Sequence, residues 1–186
     1  MRKTLLLVCI ALTMLISSVA LAGKLAGVTL PDKANVGGTT LVLNGMGLRE
    51  KFTFDVYVGG LYLTAKSKDG GKIVNDDAPK RMVMHFLRDV DKEKLIETLD
   101  EALKKQKIAK DKRAKLRGWM RDAKEGDQII IDYVPGKGTT FIDKPAKGSQ
   151  KPMGTIEGIE FMKAIFSIYV GKNPADEDLK KGLLGK

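Results

Sequence analysis

The sequence predicts an α+β domain, an antiparallel sheet with helices packed on one face. Three observations carry that prediction. Residues 39–63 hold two β-branched and apolar runs; Leu95, Leu99 and Leu103 then recur at i, i+4 and i+8; and strand-like residues return at 128–142 before an apolar helical stretch at 159–169. Strands, helices, strands and helices in that order place an antiparallel sheet beneath a helical layer.

The chain has 186 residues, a net charge of +10, 43% hydrophobic residues, one Cys and one His. That is enough chain to bury a core without disulfide or metal staples. Charged residues at 30% are balanced by an ordinary apolar fraction, which excludes a disordered polyelectrolyte and a multispan membrane protein. No repeat and no low-complexity linker divides the chain. Residues 23–186 are therefore expected to form one domain.

Residues 1–22 have the three parts of a secretory signal: Arg2 and Lys3, an apolar centre over 5–16, and Ala20-Leu21-Ala22 as a small-residue site with cleavage expected after Ala22. The processed protein would be exported to the periplasm with 164 residues and a charge of +8. Its one cysteine, Cys9, leaves with the leader. An exported chain without cysteine has no disulfides, no thiol catalysis and no cysteine metal site.

Along the processed chain, residues 39–43 read as a strand, Asn44-Gly45-Met46-Gly47-Leu48-Arg49 as a bend or bulge, and 52–63 as a second strand. Residues 81–88 alternate, with Met82, Met84 and Phe86 on one face and Val83, His85 and Leu87 on the other. Both faces are mainly apolar, so this strand is expected to be covered on both sides. Asp91 is placed to cap the helix that carries Leu95, Ile96, Leu99 and Leu103. A second helix is expected over 110–124, with Leu116, Trp119, Met120 and Ala123 on one side and Gly126 at its end. Residues 128–134 read as a strand, and Pro135-Gly136-Lys137-Gly138 turns it into a partner at 139–142. An apolar helix through Ile159, Met162, Ile165, Phe166 and Tyr169 stops at Gly171, and a short helix follows Pro174.

The charge is local. Residues 104–124 hold ten cations (Lys104, Lys105, Lys107, Lys110, Lys112, Arg113, Lys115, Arg117, Arg121, Lys124) and two acids, and the rest of the processed chain is neutral. These cations form either the solvated outer face of two amphipathic helices or a patch for an anionic membrane surface or an acidic partner. Nucleic acid is not expected as a partner, because only Trp119 interrupts the basic run with a ring that could stack on bases.

The chemistry at hand is sparse. A lone His85 builds no imidazole metal site, and as part of an apolar strand it reads as packing. Gly45 and Gly47 lack the third glycine of a dinucleotide loop, and no Walker loop occurs, so no cofactor is expected. Arg49 stands out. It follows a glycine-permitted bend and precedes an apolar strand carrying Tyr57 and Tyr62. A guanidinium facing an apolar pocket suits a carboxylate or phenolate, and a tyrosine hydroxyl adds a second donor. The alternative is a surface arginine beside Glu50.

Asn44-Gly45-Met46-Gly47-Leu48-Arg49, followed by Phe54-Asp55-Val56-Tyr57-Val58-Gly59-Gly60-Leu61-Tyr62-Leu63, resembles the start of the chalcone-isomerase-like family, where a G-x-G-x-R turn precedes a strand ending in G-x-Y-hydrophobic. The C-terminal Phe166-Ser167-Ile168-Tyr169-Val170-Gly171-Lys172-Asn173-Pro174 and Leu179-Lys180-Lys181-Gly182-Leu183-Leu184-Gly185 are similar to the closing segment of the family's exported bacterial branch. The likeness spans residues 27–185. It implies an open-faced β-sandwich of chalcone-isomerase type, with a cleft between sheet and helices. Arg49 matches the arginine that holds an oxyanion in plant isomerases and a carboxylate in plant fatty-acid binders. Tyr57 falls where the isomerases carry a catalytic threonine and the fatty-acid binders a tyrosine.

The departures from the isomerases bear on the chemistry. Glu50 replaces a usual glycine, the interval from Arg49 to Tyr57 is several residues shorter, and Asp91, Lys92, Lys94 and Thr98 stand where a tyrosine, lysine and asparagine cluster begins the first helix. The resemblance thus implies a non-catalytic periplasmic binder of a small amphipathic anion such as a fatty acid. Arg49 and Tyr57 would hold the head group, and Met82, Met84, Phe86 and Phe161 would form the walls. The alternatives are an isomerase of intramolecular-lyase type, in which Arg49 and Tyr57 would be catalytic, and an interaction protein that uses the basic helices over 104–124.

Overall fold

The computed structural model describes residues 23–186, and the expected leader lies outside them. A short hairpin opens the chain, β1 (Gly23–Leu25) against β2 (Val28–Leu30). Seven strands then form one antiparallel meander, each paired with its neighbour in sequence: β3 (Lys33–Val36), β4 (Thr39–Lys51), β5 (Phe54–Leu63), β6 (Lys80–Phe86), β7 (Gln128–Val134), β8 (Gly138–Lys144) and β9 (Lys151–Ile156). Between β5 and β6 lies α1 (Gly70–Asn75); α2 (Lys92–Lys105) and α3 (Lys110–Trp119) lie between β6 and β7. Two more, α4 (Ile159–Val170) and α5 (Glu177–Leu183), follow β9. Among the described residues, no helix is long and apolar enough to cross a membrane.

The sheet curls into a half-barrel. β3 touches β7 although three strands separate them in the sheet order, and a Cβ on Gly37 beside β3 would meet the Val134 side chain at 2.8 Å. Two apolar cores result, one on each face. Met82, Phe86, Ile129, Ile131 and Phe141 join buried residues of all five helices on one side. On the other, Val58, Val83 and Ile130 pack with Val28, Leu30, Val36 and Leu41 from the first strands. This explains why β6 is apolar on both faces. At the centre of the first core, α4 is apolar nearly all round because eight of its residues are buried.

Three departures from sequence expectation have local causes. Residues 44–49 form no separate bend but continue β4, and the bulge that the glycines permit takes the form of pairing irregularities between Leu43 and Gly45 and between Arg49 and Glu50. The helix expected over 110–124 ends at Trp119, because the backbone of Ala123 exchanges two 2.9 Å hydrogen bonds with Val90. Asp91 precedes α2 without a side-chain cap bond and pairs with Lys94 instead. Short β1, β2, β3, α1 and β9 carry no strong period. In β9, Pro152 is tolerated because the strand is an edge, and Gly154 leaves room for the Trp119 indole, which a Cβ would meet at 2.1 Å.

Lys80, at the start of β6, is 1% exposed. Its Nζ donates to the carbonyls of Ile73 and Asp76 at the end of α1 and lies 5.7 Å from the ring centres of Tyr133 and Phe166. Burial pushes its pKa down to about 8, against a smaller opposing pull from Asp76 and Asp77. A folded value below the unfolded one means the unfolded chain binds the extra proton, so stability rises with pH across this window. Urea unfolding is expected to show a gain of about 2 kcal/mol between about pH 8 and 10, and Lys80→Met to flatten it. Raised tyrosines, Tyr62 and Tyr133 at about 12, oppose the trend only above that range. A flat wild-type profile would contradict a buried, deprotonating Lys80.

Candidate ligand-binding site

Arg49 and Tyr57 are directly opposed on β4 and β5, so the ladder sets their side chains next to each other on the helix-covered face. The glycines before Arg49 serve the C-terminal helix. A Cβ on Gly45 would meet the Gly182 carbonyl oxygen at 2.3 Å, and one on Gly47 the Leu179 oxygen at 2.3 Å. β4 and α5 therefore touch backbone to backbone. That approach brings the α5 N-cap, Asp176, to Arg49: Asp176 Oδ1 accepts from the Leu179 N–H at 2.7 Å, and Oδ2 accepts from Arg49 Nη1 at 2.6 Å. Nη1 also donates to the Glu50 carbonyl at 2.5 Å. Nε and Nη2 have no protein acceptor among the described residues. One edge of the guanidinium is held, and the other is available.

A cavity of about 460 Å³ lies against this pair, within the range of small-molecule sites. Its interior is apolar: Val56, Met84, Val90, Leu95, Leu99, Met120, Ile129, Phe141 and Ile168, with Arg49, Tyr57 and Tyr169 as the polar exceptions. The exposed rim holds Lys51, Phe52, Phe54, Arg88, Asp89, Lys94 and Thr98. Burial pushes the Tyr57 phenol well above its ordinary value, only partly offset by Arg49. Tyr57 thus stays protonated, a donor and not a base, and its ring packs edge-on against Phe86. Burial raises Tyr169 likewise, and its hydroxyl donates to Met84 Sδ at 3.4 Å.

Of the residues singled out from sequence, Arg49, Tyr57 and Met84 line the cavity. Met82, Phe86 and Phe161 do not, and all three are fully buried core. Phe86 lies under the Tyr57 ring, and Met82 sits where a Cβ on Gly59 would meet it at 2.9 Å. Phe161 is on the wrong end of α4: Ile168 and Tyr169, about two turns later, reach the cavity instead. Tyr169, Met120, Ile129 and Phe141 read from sequence as plain core, and nothing in their spacing separates wall from core. His85 lies on the opposite face, with Nδ1 3.0 Å from Gln128 Nε2. Among the described residues, no group of three or more His, Cys, Asp or Glu is placed to hold a metal.

The basic helices are less free than their composition suggests. Asp100, buried on α2, takes hydrogen bonds from Arg113 at 2.7 Å and Arg117 at 2.5 Å, with Lys104 at 3.2 Å. Burial pushes this carboxyl up, but the three cations outweigh it and hold it down at about 2. Arg121 binds Asp127 and Asp143, and Lys124 binds Asp89. Five of the ten cations over 104–124 are thus paired with acids, and every one of those acids except Asp100 and Asp127 is drawn from elsewhere than the helices and the turn that follows them.

A curled antiparallel meander with helices on one face and a cleft beneath them is the architecture of the chalcone isomerase-like family, and the chain belongs to that family, whose model matches residues 22–185. Among solved structures, it is similar to a fatty-acid binding protein of Arabidopsis thaliana, with a TM-score of 0.63 and 15% identity, over 85% of this chain and 92% of that one. Comparison with curated proteins gives no match.

Proposed function

We propose that this protein is exported, loses its leader after Ala22, and binds a small amphipathic anion such as a fatty acid in the periplasm without turning it over. The observation that carries this reading is the open edge of Arg49 at a cavity of about 460 Å³ whose interior is apolar apart from Arg49, Tyr57 and Tyr169. Buried methylenes would supply most of the affinity, about 0.8 kcal/mol each. The head group would take charge-assisted hydrogen bonds from Arg49 Nε and Nη2 and a further bond from the Tyr57 hydroxyl. The similar Arabidopsis protein is described as a fatty-acid binder, which supports the ligand class.

The same two donors would also stabilise an enolate or phenolate, which is the isomerase alternative. One preparation tests both. The chain recovered from the periplasm is expected to have the mass of residues 23–186, and solvent extraction followed by mass spectrometry to release a carboxylic amphiphile. Absence of any bound amphiphile, with no uptake of added fatty acid, would overturn the binder. Cyclisation of a 2′-hydroxychalcone above its uncatalysed rate would establish the isomerase in its place.

A further inference from the structure

The tip of the β4–β5 hairpin carries a feature that the cavity does not require. Phe52 has φ +59°, a left-handed conformation disfavoured for any residue with a Cβ and ordinarily given to glycine in such a turn. Its side chain gains nothing from the fold in return, being 90% exposed. Phe54, two residues on, is 55% exposed. Backbone strain combined with an unsheltered ring costs stability without a compensating contact, and an outlier of that kind points to a use outside the folded chain.

The two sides of the hairpin differ in charge. Lys51 and Phe54 are opposed on the ladder and border the cavity, and the Arg88 guanidinium lies 4.4 Å from the Phe54 ring centre. Glu50 and Asp55 are also opposed, and neither borders the cavity. Within the hairpin, cation and ring therefore lie on the cavity side and the carboxylates on the other, and Asp89, the carboxylate on the rim, is held by Lys124 at 2.8 Å. Rings beside lysine and arginine suit the boundary between head groups and acyl chains of an anionic bilayer, where the ring sits in the apolar layer and the cation stays with phosphate.

We propose that this tip docks on an anionic lipid bilayer, with Phe52 and Phe54 entering the interface and Lys51 and Arg88 on lipid phosphates. The cavity mouth then opens onto lipid. Passage of a membrane-derived anion into the cavity rests on the binder reading above; the docking does not. The tip is favoured over the basic helices as the membrane face because half the cations there are already paired with carboxylates.

Phe52→Gly is the informative variant, since it removes the ring and supplies the residue that the turn's φ favours. Its Tm is expected to rise by about 2 to 4 °C, while its cosedimentation with phosphatidylglycerol-containing vesicles falls at least tenfold. Wild-type binding is expected to weaken as salt rises and to be lost on pure phosphatidylcholine vesicles. Phe52→Trp adds an indole whose emission shifts to the blue on adding anionic vesicles, a shift absent from the wild type. Unchanged vesicle binding by Phe52→Gly would overturn the proposal, as would binding abolished by neutralising Lys110, Lys112 and Lys115, none of them paired with Asp100, with the tip intact. Phe52-dependent self-association with no vesicle binding would overturn it too. Arg49→Met is expected to keep vesicle binding while losing the bound anion, so the docking and the binder readings fail separately.

Discussion

Replacing Arg49 with Met is expected to weaken fatty-acid binding by about 30- to 100-fold, the equivalent of about 2 to 3 kcal/mol for charge-assisted hydrogen bonds made in a desolvated site. Part of any loss comes from Asp176, whose carboxylate, 17% exposed, would be left beside the site without its cation. Asp176→Asn isolates that part, because the amide oxygen still accepts from the Leu179 N–H and caps α5. Alone, it relieves Arg49 of a competing anion and is expected to tighten acid binding several-fold. Calorimetric titration with a fatty acid and the matching fatty alcohol makes the comparison sharp. Wild type should prefer the acid, and Arg49→Met should bind the two alike. Equal preference in the wild type would remove Arg49 from the head-group site.

Gly47→Ala is expected to cost about 3 kcal/mol and to disturb the site without touching it. Overpacked substitutions usually cost about 1 to 3 kcal/mol, and this one belongs at the upper end because its neighbour is backbone. The new methyl would lie 2.3 Å from the Leu179 carbonyl oxygen, and no side chain there can rotate away. α5 must move off β4, carrying Asp176 from Arg49. Thermal unfolding should show a Tm lower by about 6 to 12 °C, together with weaker retention of the ligand. Gly118→Ala is the control: it sits in α3 with nothing within 4 Å of the added methyl, and it should be neutral or slightly stabilising. Equal effects at both glycines would mean that β4 and α5 do not interlock as described.

Much of the fold was readable because period and breaker residues act locally. β7 runs over 128–134 as its apolar run predicted, and α4 stops at Gly171, whose N–H bonds to the Ser167 carbonyl. Elements of three to six residues were missed because so short a stretch has little period to read. The strand character of 44–49 was obscured by glycine. Those glycines suggest a local bend, yet their purpose is a contact with residues 179–183, far away along the chain.

The site divides in the same way. The adjacency of Arg49 and Tyr57 was legible because they stand on adjacent strands within one short motif. Met82, Phe86 and Phe161 were misplaced as walls because an apolar side chain over a cavity and one within a core obey the same alternation. Only packing distinguishes them.

The charge tells the rest. By itself the sequence determined that the basic residues cluster in 104–124, that an apolar α+β domain would form, and that one arginine stood apart from the cluster. Only the tertiary structure decided which charges remain available. It brought Asp100, Asp127, Asp143 and Asp89 to the helix cations, and it carried Asp176 across 127 residues to one edge of Arg49. The physical reason is that charge is a property of a residue, whereas compensation depends on distances of a few ångströms between residues that the chain order keeps apart.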